Sequence, residues 1–464
     1  MVNLHSERIY LVILWSMLST LLQSQSEFIV GADVSYLDQI EQLGGVYKDS
    51  GKVRDALQIL KDHGYTHIRL RVWHTPVNGI NNLQSTIHIA KRVKALGMKM
   101  LLDFHYSDTW ADPAHQTKPA AWQSAPYAAL KESVYSYTYS VLQSMKNELV
   151  YPELVQIGNE TICGMLWNDG HVCGTNNTAA QWAQYAGLVK ESIRAVQETE
   201  SDSGSTKIIL HIDKGGDANA SRWFFDNITA LQIPFDIIGL SFYPWWQGTF
   251  AQLEANITSL INRFSKHVLI VETAYPWTLQ WNDNKNNIVG NENQLHSGYA
   301  ATPEGQAKFL KDLSILLRNI PGGNAFGFFY WAPEYIVVSG MGSVWENLTL
   351  FNFSGEALPA VSAVTSVQEQ SEVRNRPQEF TVLSNYPNPF NDRTIFRFSL
   401  SQSEITSITI ADCLGREQGV IAHQWFDAGE YTIPYDAADL PSGVYFCRLT
   451  TKTASLTRKI ILIK

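Results

Sequence analysis

The chain has 464 residues, which indicates two or three domains, since a domain usually takes about 150 residues and a barrel can take 250 or more. A hydrophobic fraction of 45% is ordinary for a globular protein and excludes disorder over most of the chain. The net charge of −9, without a long run of lysine or arginine, argues against nucleic acid as a partner.

The first 26 residues have the layout of a secretory signal peptide. Arg8 lies in a short polar leader, an apolar run extends from Ile9 to Leu22, and small residues alternate at Ser24 and Ser26. The apolar run is short for a bilayer span, so a membrane anchor is the weaker alternative. We therefore expect export to the periplasm and a mature chain that begins near residue 27.

Between residues 27 and 360, apolar strands alternate with amphipathic helices. Val53, Ala56 and Leu60 recur at helical spacing before Gly64, and further helices are predicted near 89–96, after Pro126, and at 179–197, 221–231, 250–264 and 303–317. Helical crossovers between successive strands predict an α/β fold, the (β/α)8 TIM barrel, with a doubly wound open sheet as the weaker alternative. The eight predicted strands are Phe28–Ser35, Thr66–Val72, Met98–His105, Leu154–Glu160, Lys207–Ile212, Phe235–Tyr243, His267–Thr273 and Ala325–Trp331.

Polar and aromatic residues gather at the predicted strand ends, where barrel enzymes place their chemistry. Two of them, Glu160 and Glu272, end the fourth and seventh strands on opposite sides of the barrel. A structural salt bridge to Arg69 would explain a single glutamate there, but not two. The full set is Asp33, Ser35, Arg69, Arg71, Asp103, His105, Tyr106, Asn159, Glu160, His211, Asp213, Ser241, Tyr243, Trp245, Glu272, Trp331 and Glu334.

Two facing carboxyl groups suit the hydrolysis of a glycosidic bond. One group protonates the leaving oxygen while the other attacks the anomeric carbon, and a separation of about 5–5.5 Å gives retention of configuration. We expect Glu160 to be the acid/base and Glu272 the nucleophile. Tyr243 is placed to donate to Glu272, and the fixed charge of Arg69 would keep that carboxylate ionised.

The remaining candidates would bind the sugar. Asn159 precedes Glu160 and is placed to bond the sugar 2-hydroxyl, a contact that strengthens in the transition state. Trp331 would form the bottom of the subsite that holds the attacked sugar. The alternative is that Trp331 is a core residue that caps the barrel. Stacking by Trp110, Trp246 and Trp331 and hydroxyl bonding by His105 and Asp108 complete the predicted site.

Four cysteines are compatible with an oxidising compartment without forming a disulfide scaffold. Cys163 and Cys173 share one loop and can pair, and two free thiols are the alternative. No CxxC or cysteine/histidine spacing indicates zinc.

The composition changes after residue 360. Residues 361–378 are rich in Ser, Val, Glu and Gln without an apolar period, which predicts a linker. Residues 379–464 then contain short alternating runs separated by turn signals, which predict a small antiparallel β-sandwich. The runs are Thr394–Leu400, Ile405–Ile410, Val444–Leu449 and Ile460–Ile463.

Six stretches of the first part of the chain carry a family resemblance: GADVSYLDQIEQLGGVY at 31–47, RLRVWHTP at 69–76, LLDFHYSDTWADPAHQTKPAAW at 101–122, QIGNET at 156–161, SFYPWW at 241–246 and VETAYPWT at 271–278. Through them, this part of the chain resembles glycoside hydrolase family 53, the arabinogalactan endo-β-1,4-galactanases of clan A. The resemblance implies endo-cleavage of β-1,4-galactan in type I arabinogalactan with retention, with Glu160 as proton donor and Glu272 as nucleophile.

The same resemblance bears on metal content. Bacterial members often bind calcium in the loop after the seventh strand, and the polar stretch 279–296 around Asp283 occupies that place. Structural calcium is therefore the one ion we expect, and no cofactor is required for the chemistry.

Four stretches of the tail carry a second resemblance: NYPNPFNDRTIFRF at 385–398, DCLGRE at 412–417, LPSGVYFCRL at 440–449 and KIILIK at 459–464. Through them, the tail resembles the C-terminal sorting domain of type IX secretion substrates. The resemblance implies recognition by that export machinery and a secreted or cell-surface protein, which we expect to be a monomer.

Two other functions remain open at this stage. Another clan A retaining endo-glycanase, such as a β-mannanase or β-1,4-glucanase, would share the barrel and both glutamates, but the DFHYSDTWADP segment disfavours it. A catalytically inactive carbohydrate-binding surface protein would keep the aromatic cleft. The presence of Asn159, Glu160 and Glu272 together argues against the second alternative.

Overall fold

The computed structural model describes residues 28–200, 206–364, 383–400, 403–427, 429–451 and 455–464. The chain divides into two compact units near residue 365. The predicted signal peptide, residues 1–26, and residues 365–378 of the predicted linker lie outside the described residues.

The first unit is a closed barrel of parallel strands, which confirms the predicted fold. Each strand pairs with the next along the chain, and the eighth pairs with the first. The barrel strands are β1 (Ile29–Asp33), β2 (His67–Val72), β3 (Lys99–Phe104), β4 (Leu154–Ile157), β5 (Lys207–Ile212), β6 (Ile237–Phe242), β7 (His267–Thr273) and β8 (Ala325–Trp331).

Helices connect the strands, and several begin at side chains that cap them. Asp55 accepts the N–H of Gln58, so that helix begins at Ala56, and the predicted helical residue Val53 instead lies in a short strand paired with Tyr47–Asp49. The α-helices of the described residues are Leu37–Gln42, Ala56–Asp62, Leu83–Ala95, Tyr127–Asn147, Ala179–Thr199, Ala218–Ala230, Pro244–Gln247, Phe250–Phe264 and Pro303–Asn319.

Alternation along the strands separates the outer core from the polar barrel interior. On β2, Ile68, Leu70 and Val72 belong to the large apolar core, while Arg69 and Arg71 are equally buried but make polar and ring contacts. Successive strand residues point to opposite faces, so one β-strand serves both environments. Arg69 and Arg71 therefore belong to the polar interior of the barrel.

The barrel unit continues beyond its predicted end at residue 360. A 3-10 helix covers Pro359–Ser362, and Val361 and Val364 are buried in the barrel's apolar core. The predicted linker start at 361 is therefore wrong, because these valines recur three residues apart and both pack inward.

The second unit consists of two antiparallel sheets that share an apolar core, as predicted. The strands are β9 (Leu383–Tyr386), β10 (Arg393–Leu400), β11 (Glu404–Asp412), β12 (Glu417–Phe426), β13 (Gly429–Asp436), β14 (Gly443–Thr450) and β15 (Ser455–Leu462). The sheet orders are β9-β10-β13 and β12-β11-β14-β15, and Phe396, Phe398, Ile408 and Leu449 lie between them in one buried cluster. None of the helices in the described part of the chain is both long and apolar enough to span a membrane.

Candidate active site

Two adjoining hollows open at the C-terminal ends of the barrel strands. We call the first, of about 340 Å³, the aromatic hollow, and the second, of about 900 Å³, the polar hollow. The aromatic hollow is lined by Tyr36, His105, Trp110, Ala111, Asp112, Asn159, Glu160, Tyr243, Trp246, Glu272, Ile288, Trp331, Tyr335, Val344 and Trp345. The polar hollow is lined by Asp112, Pro113, Glu160, Asp213, Lys214, Gly216, Asp217, Ala218, Asn219, Trp246, Gln247, Gly248 and Gln252.

Glu160 lies where the two hollows meet, whereas Glu272 lines only the aromatic hollow. A proton donor must reach the bond between two sugars, and a nucleophile must reach only the sugar that is attacked. With the predicted roles of the two glutamates, the attacked sugar would lie in the aromatic hollow and the leaving group in the polar hollow.

Glu272, the last but one residue of β7, is held by a cation and a phenol. Its Oε1 lies 2.8 Å from Nη2 of Arg69, and its Oε2 accepts the hydroxyl of Tyr243 at 2.9 Å. Burial raises the pKa of Glu272 to about 7, against the lowering effects of Arg69 and of the Tyr243 hydrogen bond. Both groups that the sequence placed next to Glu272 are in contact with it.

Arg69 lies below the hollow and joins four side chains of the barrel interior. Nη1 donates to Asp33 at 2.7 Å, and Nη2 reaches Asp103 and Asn159 at 2.8 Å as well as Glu272. Burial alone would lower the pKa of Arg69, but the surrounding carboxylates raise it above its usual value. This guanidinium is a fixed positive charge beneath the carboxylate of Glu272.

Glu160 follows β4 in a left-handed backbone conformation, with φ of 47°. Its backbone N–H donates to Nδ1 of His211 at 3.2 Å, and its Oε1 accepts the hydroxyl of Ser241 at 2.6 Å. Residues other than glycine seldom adopt positive φ, and such strain is typical of active sites. The turn directs the Glu160 side chain to the boundary between the hollows.

The pKa of Glu160 is raised well above its usual range. Burial is the main cause, the negative charges of Glu272, Asp213 and Asp112 add to it, and the Ser241 hydrogen bond opposes it. No described cation lies within salt-bridge distance of Glu160. Glu272 therefore ionises first and Glu160 keeps its proton, which is the division of roles that an acid and a nucleophile need.

Asn159 is buried beside the two glutamates and its amide is oriented by its neighbours. The oxygen Oδ1 accepts from Arg69, and Nδ2 donates to the carbonyl of Ala111 at 2.8 Å. An amide nitrogen carries two N–H groups, so one stays available to a sugar hydroxyl. The predicted bond to the 2-hydroxyl is compatible with this placement.

The aromatic side chains form a platform around a buried arginine. The guanidinium carbon of Arg71 lies 4.2 Å from the ring centroid of Trp110 and 4.3 Å from that of Tyr36. Trp331 lies 5.8 Å from Trp110 and 4.5 Å from Trp345, measured between centroids. A cation between ring faces is attractive, so Arg71 ties the platform together from below. At the cleft mouth, Trp246 is 59% exposed and borders both hollows.

Two predicted sugar-binding residues have other partners. Both oxygens of Asp108 accept backbone N–H groups, from Thr75 and Ala120 at 2.8 Å, and Asp108 lines neither hollow. His105 lines the aromatic hollow, but its Nδ1 accepts from Trp73 and from the backbone of Ala111.

The other ring nitrogen of His105, Nε2, lies 3.0 Å from the carboxylate of Asp103. Both ring nitrogens of His105 thus have protein partners, and Asp108 serves to fix its loop. The predicted hydroxyl contacts of these two residues stay predictions.

The loop that follows Glu160 is closed by a disulfide. Cys163 and Cys173 are bonded, with their Cα atoms 4.9 Å apart, so the alternative of two free thiols is wrong. Cys413 and Cys447 are free, the first exposed and the second buried.

The surroundings of Asp283 do not form an evident calcium site. Its Oδ1 accepts the N–H of Lys285 and its Oδ2 that of Ser343. The described residues contain no cluster of three or more His, Cys, Asp or Glu side chains that could hold a metal ion. The calcium expectation stays a prediction.

Sequence reasoning missed several residues of the hollow. Tyr36 follows β1, whereas Tyr335 and Trp345 lie in the long segment after β8, beyond any predicted element. Asp112 borders both hollows and is part of the DFHYSDTWADP segment. The high specificity of that segment was the available signal for Asp112; the residues after β8 offered none.

Two family profiles match separate parts of the chain. Residues 29–364 match the profile of glycosyl hydrolase family 53, and residues 384–464 match the secretion system C-terminal sorting domain. The chain is 36% identical to the arabinogalactan endo-beta-1,4-galactanase of Cellvibrio japonicus, over 75% of this chain and 93% of that protein.

Solved structures give the same result. The Ignisphaera aggregans GH53 catalytic domain superposes with a TM-score of 0.69 at 39% identity, covering 73% of this chain and 95% of that one. A fungal beta-1,4-galactanase superposes with a TM-score of 0.63 at 32% identity, over 72% and 98% of the two chains.

Proposed function

The chain belongs to glycosyl hydrolase family 53 and is a glycoside hydrolase with a secretion sorting tail, and on that premise we propose that it is an endo-acting, retaining β-1,4-galactanase that degrades type I arabinogalactan. The observation that carries the proposal is the pair of glutamates with opposite surroundings on one hollow. Glu272 lies next to Arg69, and Glu160 lies next to Ser241.

In the first step, the ionised Glu272 attacks the anomeric carbon of the sugar in the aromatic hollow. The bond from that carbon to the glycosidic oxygen breaks, its electron pair goes to the oxygen, and the oxygen takes the proton of Glu160. Tyr243 and Arg69 hold the attacking carboxylate in place. The products are a shortened chain in the polar hollow and a sugar ester on Glu272.

In the second step, water replaces the departed chain. Glu160, now a carboxylate, accepts a proton from this water as its oxygen bonds to the anomeric carbon. The ester bond to Glu272 breaks, and the original configuration is restored. The carboxyl separation of about 5–5.5 Å and the retention that follows from it remain predictions.

Cleavage within a chain is favoured by hollows on both sides of Glu160. The aromatic hollow offers ring faces to the sugars on the nonreducing side, and the polar hollow offers Asp217, Asn219 and Gln252 to the other side. Because both hollows are open clefts, sugars can extend beyond each of them.

Substrate choice would follow from cleft shape. Galactose differs from glucose in its axial 4-hydroxyl, so a β-1,4-galactan bends at each linkage, whereas mannan and cellulose run nearly straight. A site with polar groups placed for one sugar leaves them unpaired with its epimer, which can cost a factor of about 10⁴. The galactanase relatives support a cleft built for galactan.

The test is digestion of unbranched β-1,4-galactan, with mannan, carboxymethylcellulose and β-1,3-galactan as controls. We expect short galacto-oligosaccharides from the first and negligible products from the others. Proton NMR of the first-formed products should show the β-anomer. Comparable rates on mannan would place the enzyme with the β-mannanases, and a first-formed α-anomer would disprove retention.

For delivery, the sorting tail implies secretion or display at the cell surface. We propose that a signal peptide first exports the chain to the periplasm and that the type IX machinery then recognises the second unit. A chain ended at residue 364 keeps the whole barrel core, so it should hydrolyse galactan normally and fail to reach the surface. Surface delivery of the truncated chain would contradict the role of the tail. We also expect a monomer, which light scattering can check.

A further inference from the structure

Behind Glu160, two buried side chains form a line that belongs to neither hollow. Ser241, near the end of β6, donates its hydroxyl to Oε1 of Glu160 at 2.6 Å. The same hydroxyl oxygen lies 2.9 Å from Nε2 of His211 on β5. Both residues are fully buried. Two strands and the turn after β4 thus contribute one continuous hydrogen-bonded line that ends at the proposed acid/base.

The direction of this chain follows from a backbone group that can only donate. The N–H of Glu160 reaches Nδ1 of His211, so Nδ1 accepts and a neutral ring carries its hydrogen on Nε2. Burial lowers the pKa of His211 well below its usual range, which keeps the ring neutral. The Nε2–H then donates to Ser241, and the serine hydrogen is left for Glu160.

The opposite tautomer is disfavoured by the same contact. It would donate Nδ1–H to Oδ1 of Asn159, 3.1 Å away, but it would leave the N–H of Glu160 facing a second hydrogen. It would also turn Nε2 into an acceptor that competes with Glu160 for the Ser241 hydrogen. Only the Nε2–H form satisfies the backbone donor and the carboxyl group together.

We propose that Ser241 and His211 are positioning residues that direct the acid proton of Glu160 to Oε2, an assignment that rests on the function proposed above. A hydrogen on Oε1 would meet the hydroxyl hydrogen of Ser241. No described residue bonds to Oε2, so this oxygen is free to face the substrate. The pair therefore selects which oxygen acts as the acid.

The line would act in both chemical steps. When the Oε2–H bond breaks and the proton passes to the glycosidic oxygen, negative charge appears on Glu160, and Ser241 already donates to it. When water is activated, Oε2 takes the proton back while Ser241 still holds Oε1. Hydrogen bonds to ionised groups are about twice as strong as neutral ones, so the contact helps most when Glu160 is charged.

Ser241→Ala tests this through the leaving group. For galactan, whose leaving sugar needs a proton, kcat/KM should fall about 10-fold to 100-fold. For a 4-nitrophenyl glycoside of a β-1,4-galacto-oligosaccharide, whose leaving group departs without a proton, kcat/KM should fall by less than about threefold. Ser241→Thr, which keeps a hydroxyl, should restore much of the galactan rate. Equal losses on both substrates would mean a merely structural role and overturn the proposal.

Ser192→Ala is the matched control. Ser192 is also fully buried, but its hydroxyl donates to the Leu188 carbonyl at 3.3 Å within the helix Ala179–Thr199. The ratio of the two kcat/KM values should stay at the wild-type level in this variant.

A measurement without turnover separates this inference from the proposed function. In full-length protein labelled with ¹⁵N-histidine, the His211 signals, identified by their loss in His211→Gln, should show Nε2 protonated and Nδ1 bare. A Nδ1–H tautomer would overturn the proposed hydrogen-bonded line even in an active galactanase. If Ser241→Ala does not fold, this NMR measurement alone tests the proposal. If the tautomer is as expected but galactan is not cleaved, the proposed function fails and the hydrogen-bonded line stands.

Discussion

Glu160 and Glu272 share one hollow, but their carboxyl groups are held in opposite ways. Glu272 contacts a guanidinium 2.8 Å away and a phenol at 2.9 Å. Glu160 accepts a hydrogen bond from a neutral serine, and the charges that act on it are negative. Burial alone would raise the pKa of both groups, so the placement of Arg69 makes the difference between them.

This contrast shows how a symmetric pair of side chains acquires different roles. A cation stabilises the ionised form of one carboxyl group, and neighbouring acids destabilise the ionised form of the other. Identical residue types can therefore take the two roles that we propose, nucleophile and acid, through their surroundings.

The largest expected effect is the loss of the nucleophile. Glu272→Gln keeps the volume of the side chain, but a neutral amide cannot attack, so kcat should fall by at least about 10⁴-fold on every substrate. Azide should restore cleavage in Glu272→Gly and give a product of inverted configuration, which NMR would identify. Near-normal turnover of Glu272→Gln would show that the nucleophile is misassigned.

Removing the acid should have an effect that depends on the substrate. Glu160→Gln should lower kcat/KM on galactan by about 10²-fold to 10⁴-fold, because no proton reaches the leaving oxygen. On the 4-nitrophenyl glycoside, the first step should be nearly unimpaired and the second slow, so a burst of nitrophenol should precede slow turnover. Equal loss of kcat/KM on both substrates, without a burst, would show that Glu160 is not the proton donor.

Arg69→Met removes the cation that distinguishes Glu272. Since Arg69 lowers the pKa of Glu272, its loss should raise that pKa above about 7, so more of the nucleophile is protonated at neutral pH. The acid limb of the kcat/KM profile should move to higher pH, and the rate at pH 7 should fall by at least about tenfold. Arg69→Lys, which keeps the charge, should shift the limb less. If the acid limb of the kcat/KM profile does not move in Arg69→Met, Arg69 does not control the ionisation of Glu272.

The barrel was predictable because its signals are periodic. The predicted ranges Lys207–Ile212, His267–Thr273 and Ala325–Trp331 are the observed strands, and the end of β7 places Glu272 without further information. A strand end fixes where a side chain starts, and for both glutamates that was enough to bring them to one hollow.

The sequence could not show which hydrogen-bond partner each polar atom has. His105 and Asp108 are residues of the right type in the right segment, but their polar atoms already bond to groups of the protein. Arg71 shows the reverse case, since nothing in its spacing indicated that rings would surround it. Such assignments depend on distances between segments far apart in the chain, and an isolated sequence contains none.

The aromatic hollow and the polar hollow should differ when a tryptophan is removed. Trp331 lies on the side of the nucleophile, so Trp331→Ala should lower kcat/KM on galactan by about tenfold or more through the loss of ring stacking. Trp246 is largely exposed at the shared border, and Trp246→Ala should cost less. Initial rates over a range of galactan concentrations would measure both. A larger loss for Trp246 would place the main sugar contact at the border.

The smallest expected effect on catalysis is the loss of the disulfide in the loop after Glu160. Closing this ten-residue separation stabilises the fold by about 2–3 kcal/mol in the chain-entropy treatment. The Cys163→Ser/Cys173→Ser variant should therefore melt a few degrees lower while kcat/KM changes less than about twofold. The reason is that His211 and Ser241 hold Glu160 independently of the bridge.

The disulfide variant tests which contacts position Glu160. Glu272 is held by its place on β7 and by the charge of Arg69, whereas Glu160 follows a short strand in a strained turn. The disulfide in the loop after Glu160 could therefore also hold the Glu160 side chain in position. Calorimetry and galactan hydrolysis on the same samples distinguish a bridge that only stabilises the fold from one that also positions Glu160. A more than tenfold loss of activity below the melting transition would mean that the bridge, and not the hydrogen-bonded line, positions the acid.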